Sequence, residues 1–192
     1  MPTGARTGER TTPKVLWCAN PRAGSPNRWS FPPNVEKLLR TLTAGKHVLH
    51  LFGGQAGWGR RIDIDATTRP HVIADAWLPP FRADAFDVVI IDPPYVRLEA
   101  EVKAQLCDAA GYIARESVIW FHTVWVSAGP FMTLEESWLV RVGDNHHVRC
   151  LQVFRLQAAN KPTPHLHFGR GPATKYNRWL AGEVSLPFRE DA

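Results

Sequence analysis

The chain has 192 residues, 44% hydrophobic and 21% charged, with a formal net charge of +5; this excludes a disordered chain or a fibre and allows a core without disulfide or metal staples. No apolar run approaches the roughly 20 residues of a membrane helix, and the polar N-terminus lacks the apolar segment of a secretory signal. Cys18, Cys107 and Cys150 are too widely spaced for a disulfide framework or zinc knuckle, so a cytoplasmic protein is expected.

Charge is uneven along the chain. Residues 1–50 carry a net +6, residues 51–144 a net −5 and residues 145–192 a net +4. An acidic middle between two basic ends suits a ligand-binding centre with a grip for a polyanion around it. A solvated surface is the plainer explanation of the same pattern. Eight tryptophans are many for this length, and some are candidates for stacking surface.

In chain order, Met1–Lys14 reads as a basic leader and Val15–Cys18 as a short strand. Ala19–Pro33 is loop, rich in Pro, Gly, Asn and Ser. Asn34 is placed to cap a helix over Val35–Leu42 that Gly45 ends. Strands follow at His47–Phe52, Arg61–Ile64 and His71–Ala74. Phe86–Ile91 (FDVVII) is continuous and β-branched, the pattern of a strand buried on both faces in a parallel sheet. Leu98–Ile113 has helical spacing, and Ser117–Val126 reads as the fifth strand counted from His47–Phe52. Ser137–Val142 and Val148–Leu156 read as a hairpin across Gly143–His146. These elements predict an α/β fold, a Rossmann-like doubly wound sheet, mostly parallel with a C-terminal antiparallel hairpin strand. The expected organisation is a leader and Pro-rich loop over 1–33, a catalytic domain over 34–156 and a basic, aromatic tail over 157–192. Ligands of such sheets sit at the carboxyl ends of the strands.

Four features fall at those ends. Asp92-Pro93-Pro94-Tyr95 follows the FDVVII strand. Two prolines stiffen the turn and remove two donors, leaving carbonyls, a carboxylate and an aromatic face. That set suits an amino group on a flat ring. An ordinary proline turn with an exposed Tyr would look the same in isolation. Phe52-Gly53-Gly54 ends the first of the four strands that follow the helix, where glycines let backbone approach a ligand. Asp63 and Asp65 end the second of these strands, where an acid can hold ribose hydroxyls, and Asp75, followed by Ala76, ends the third, where an acid can accept from an adenine amino group. Each acid alone would pass for a surface turn; one per strand end, in this order, is a stronger signal.

With these residues in view, the chain resembles the class I S-adenosylmethionine-dependent methyltransferases that methylate amino groups in DNA. The resemblance covers roughly residues 34–156. It places the glycine motif on Phe52-Gly53-Gly54, the ribose acid on Asp63 with Asp65 as second choice, the adenine-side acid on Asp75, and the catalytic tetrapeptide on Asp92, Pro93, Pro94 and Tyr95. It implies S-adenosylmethionine as cofactor, N6 of adenine as the methylated atom, nucleic acid as partner with DNA favoured over RNA, and neither metal nor membrane. Methylation of RNA at adenine N6 or guanine N2 is the alternative, as is a non-catalytic relative that binds nucleic acid. The family more often has Ser than Asp at the first tetrapeptide position for cytosine N4. Three departures stand out, the first being that Phe52-Gly53-Gly54 lacks the fuller Gly-x-Gly pattern. Only ten residues separate Gly53 from Asp63, against about twenty in the usual dinucleotide-type unit, so the intervening helix is missing or very short, and Trp58 fills the space or lines the cofactor. No segment is long enough for a large target-recognition domain. His146, His147, His165 and His167 lack a matching Cys or acid set for a metal, and His122 reads as a structural histidine of the fifth strand or one that approaches the site.

Overall fold

The computed structural model describes residues 12–18, 31–77, 79–94, 100–127, 131–142 and 148–157. Among the described residues eight strands form one sheet: β1 (Lys14–Cys18), β2 (Val48–Leu51), β3 (Arg60–Asp63), β4 (Val72–Ile73), β5 (Phe86–Ile91), β6 (Ala114–His122), β7 (Met132–Val142) and β8 (Val148–Leu156). The spatial order is β1-β7-β8-β6-β5-β2-β3-β4. Every pairing is parallel except those of β8, which runs antiparallel between β6 and β7. The expected mostly parallel sheet with one reversed hairpin strand is therefore present.

Helix α1 (Pro33–Leu42) covers one face and α2 (Ala100–Ile113) the other. The period-2 geometry of a strand sorts the side chains between them. Val48, Val88, Ile90, Ile119 and Phe121 meet Val35 and Leu39 of α1. Leu49, Leu51, Val89, Ile91, Val118 and Trp120 join the cluster of Leu106, Ala110 and Ile113 of α2. FDVVII is thus buried on both faces, as its composition requires, and each such side chain is worth about 1.5–3 kcal/mol.

Several local expectations are corrected. Asn34 does not cap α1: the cap position is Pro32 without a side-chain bond, and Asn34 Nδ2 donates to the Trp17 carbonyl at 2.8 Å. The amide ties α1 to β1 instead, and Pro33 opens the helix, where a missing N–H costs nothing. β3 starts one residue early and ends at Asp63, and β4 shrinks to Val72–Ile73. β6 begins three residues early, directly at the end of α2, and stops at His122 rather than Val126. β7 starts at Met132: Glu136 stays in the ladder and reaches Lys14 (2.6 Å), while Glu135 is the extra residue at a register shift and reaches Arg155 (2.7 Å).

Gly111 sets how closely the chain packs on α2. A Cβ there would run into the Phe131 ring. Gly111→Ala is expected to cost about 1–3 kcal/mol by overpacking, read as a lower denaturation midpoint at unchanged m-value.

Candidate functional site

The central strands end level with one another: Leu51 pairs with Ile62 on one side and Ile91 on the other. Here the chain switches from the α1 face to the α2 face, which opens a crevice beyond the strand ends. From β4 across to β6, the residues at those ends are Asp75, Asp63, Phe52-Gly53-Gly54, Asp92-Pro93-Pro94 and His122. At about 4.8 Å between strands the row spans about 19 Å, the scale of a nucleoside with a second group beside it.

The glycine turn has no helix behind it. Phe52 and Gly54 adopt left-handed backbone, with φ +58° and +45°. Gly53 is required by close approach: a Cβ would lie 2.7 Å from Arg61 Cβ and 3.2 Å from Arg61 Cα. Asp63 closes the turn, accepting from Gly54 N at 3.0 Å through Oδ2 and from Asp65 N at 3.0 Å through Oδ1. Each carboxylate oxygen keeps one lone pair for a ligand. The Arg61 guanidinium donates to the carbonyls of Gly54 (2.6 Å), Thr68 (3.1 Å) and Arg69 (2.8 Å). It braces the loop as the absent helix otherwise would. Sequence reasoning missed it, since an arginine in a short edge strand carries no signal of its own.

Trp58 fills the space of that helix. It packs in the α1-side cluster, with its ring edge-on to His50 at 4.6 Å and Arg40 over it at 5.2 Å. His50 is buried and neither ring nitrogen has a well-formed hydrogen bond. Burial, then the charges of Arg61 and Arg40, push its pKa down to about 3, with the nearby Trp58 backbone offsetting part of the shift. It is a neutral packing ring.

The two ribose candidates separate. Asp65 is exposed and accepts from Thr67 N (2.8 Å) and Thr67 Oγ1 (2.6 Å), capping the short 3₁₀ turn Ala66–Thr68. Asp63 is half-buried at the strand end. Asp75 is half-buried too and accepts from Trp77 N at 2.9 Å; burial raises its pKa, partly countered by that bond. Ala76 is buried behind it, and Trp77 stands edge-on to Phe52 at 6.1 Å. The aromatic pair links the segment after Asp75 to the glycine turn.

Asp92 is half-buried and Pro93 buried; Tyr95 lies outside the described residues. β6 runs two residues past the Ile91–Trp120 pair, which brings His122 beside the turn. His122 Nδ1 accepts from Val124 N at 3.2 Å, so the ring proton sits on Nε2, 3.4 Å from the Pro94 carbonyl. Burial, with Lys103 and Arg149, lowers its pKa against the raising effect of the Pro94 bond. His122 therefore approaches the site as a neutral donor. The four histidines at 146, 147, 165 and 167 and most of the Pro-rich loop lie outside the described residues. No described helix is long and apolar enough to cross a membrane.

No family model and no curated protein matches the chain. Solved structures do. A provisionally described RNA methyltransferase from Pyrococcus horikoshii superposes with a TM-score of 0.50 at 15% identity, over 66% of this chain and 85% of that one. The magnesium protoporphyrin IX methyltransferase of Synechocystis, solved with bound S-adenosylmethionine, gives 0.47 at 8% identity over 64% and 79%. Together with the strand order, the Pyrococcus likeness shows that the chain has the class I methyltransferase fold.

Proposed function

We propose that the protein is an S-adenosylmethionine-dependent methyltransferase acting on the exocyclic N6 amino group of adenine in DNA. The observation that supports this most is the row of strand ends, where Asp75, Asp63, the glycine turn and Asp92-Pro93-Pro94 stand side by side at the switch point of the sheet.

The donor set fits the cofactor. Asp63 keeps acceptor capacity for ribose hydroxyls, and Asp75 offers a carboxylate to an adenine amino group, with Phe52 and Trp77 beside it. The missing helix after Gly54 is no obstacle, because this ligand carries no phosphate that needs a helix N-terminus. When bound, the cofactor supplies an electrophilic methyl group on a sulfonium.

The chain's own task is to prepare the amine. An aromatic amino nitrogen is a poor nucleophile because its lone pair is delocalised into the ring. Asp92 and the Pro93 carbonyl accept its N–H groups and favour a more tetrahedral nitrogen. Most of the acceleration is then positioning. Tyr95 is the proposed stacking partner, and a duplex target would have to present a flipped base. No covalent intermediate is needed. Burial pushes Cys107 up to about 12 and Cys150 up to about 11, which leaves neither as a thiolate nucleophile. Asp rather than Ser at position 92 favours adenine over cytosine.

RNA is the second reading, favoured by the provisional description of the Pyrococcus neighbour. Calorimetry with S-adenosylhomocysteine tests the cofactor half of the proposal. Saturable heat is expected; none at all would contradict it and promote the non-catalytic relative. The basic tail is proposed as part of the nucleic-acid grip. Removing residues 158–192 is expected to weaken DNA binding and flatten its salt dependence, as read by anisotropy across a salt series. Unchanged binding would remove the tail from the account.

A further inference from the structure

The backbone of the segment just past His122 is held by side-chain hydrogen bonds. Trp120 Nε1 donates to the Val124 carbonyl at 2.8 Å, and Val124 N donates to His122 Nδ1 at 3.2 Å. Two residues on, Val126 N donates to Gln152 Oε1 at 2.8 Å and Gln152 Nε2 donates to the Val126 carbonyl at 3.0 Å. Both backbone groups of Val124 and both of Val126 are thus held by side chains. Trp120, His122 and Gln152 are themselves almost fully buried, at 0%, 1% and 2% exposed. Between the two fixed residues stands Trp125, 40% exposed, next to Val124 at 39%.

That arrangement runs against simple burial. An indole is the largest apolar side chain, and leaving so much of it in water forgoes stabilisation a looser loop would recover by folding it inward. Here three buried polar groups fix the backbone on either side instead. The loop leaves the strand next to β5, and the His122–Pro94 bond joins its root to the turn that carries Asp92. An exposed aromatic on a fixed backbone, in a loop whose root is joined to the turn that offers acceptors for a ring amino group, is what a planar heterocycle requires.

We propose that Trp125 is a substrate-contact residue on which a nucleobase of a single-stranded or flipped-out strand stacks at the mouth of the site. The assignment rests on the reading of Asp92-Pro93-Pro94 as the amine-binding turn. The base, in DNA or RNA, is the shared chemistry; the ribose hydroxyl is what tells the two apart.

The test is fluorescence anisotropy with short fluorescein-labelled single-stranded DNA and RNA of the same mixed sequence, on the full chain. Trp125→Ala is expected to weaken binding of at least one of them about tenfold, the order of one lost base stack. Trp125→Phe should keep most of the affinity, and S-adenosylhomocysteine binding and thermal midpoint should stay at wild-type values. Trp17→Ala serves as control, since Trp17 is 61% exposed on the far edge strand. Wild-type affinity in Trp125→Ala, or an equal loss in Trp17→Ala, would overturn the proposal. Loss of binding in Trp125→Ala alone, with no methyl transfer by the wild-type protein, would overturn the proposed activity and leave the stacking surface standing.

Discussion

Asp92→Ala is expected to lower methyl-transfer turnover by about 10²- to 10³-fold, the usual worth of one preorganised hydrogen-bonding group aimed at the transition state, while S-adenosylhomocysteine binds as before. The reason lies in the fold. Asp92 is half-buried just past a strand whose last four residues are nearly inaccessible, so the packing of the strand does not depend on its carboxylate. What disappears is the acceptor that draws the amine's lone pair out of the ring. Asp92→Asn keeps one acceptor oxygen and should retain part of the rate. Turnover at saturation is the number to compare. A variant that reaches the wild-type rate once substrate is raised would show that Asp92 only binds, and the role assigned to it would fall.

The second large effect is expected at Asp63, and it falls on cofactor affinity. Both oxygens accept backbone N–H groups, one from Gly54 and one from Asp65. Asp63→Asn exchanges one acceptor for a donor, so one of those amides then faces an N–H. An unsatisfied buried polar group costs about 1–3 kcal/mol, which corresponds to roughly 5- to 150-fold in affinity if the glycine turn must close to bind. Calorimetry with S-adenosylhomocysteine reads this directly. Asp65→Ala provides the contrast, because Asp65 caps the exposed turn at Ala66–Thr68 and should leave cofactor affinity near wild type. Equal losses in the two variants would mean that the acids have been assigned in the wrong order.

Most of the framework could be read from the chain because its signals were redundant. FDVVII admits little but a doubly buried strand, and the strand ends carry glycines and acids whose order matches the sheet. The short interval from Gly53 to Asp63 already implied a missing helix, and Trp58 does occupy its place. Other features turned on bonds made far along the sequence. Val124-Trp125-Val126 reads as the end of a strand, yet its backbone is satisfied by Trp120, His122 and Gln152 rather than by a neighbouring ladder. Glu135 and Glu136 argue against a strand until Arg155 and Lys14 are seen opposite them. Asn34 has the right residue type for a cap, but the Trp17 carbonyl competes for its amide. Arg61 and Gln152 act through backbone groups that only the folded chain brings within reach.

One measurement bears on the central claim most directly: transfer of a labelled methyl group from S-adenosylmethionine to matched DNA and RNA, followed by nucleoside digestion and mass spectrometry. The account predicts N6-methyladenine in the DNA, lost in Asp92→Ala. Label confined to RNA would contradict the choice of substrate while keeping the amine chemistry. No label in either nucleic acid, with cofactor binding intact, would contradict the account of Asp92-Pro93-Pro94-Tyr95 as a nucleobase-methylating turn.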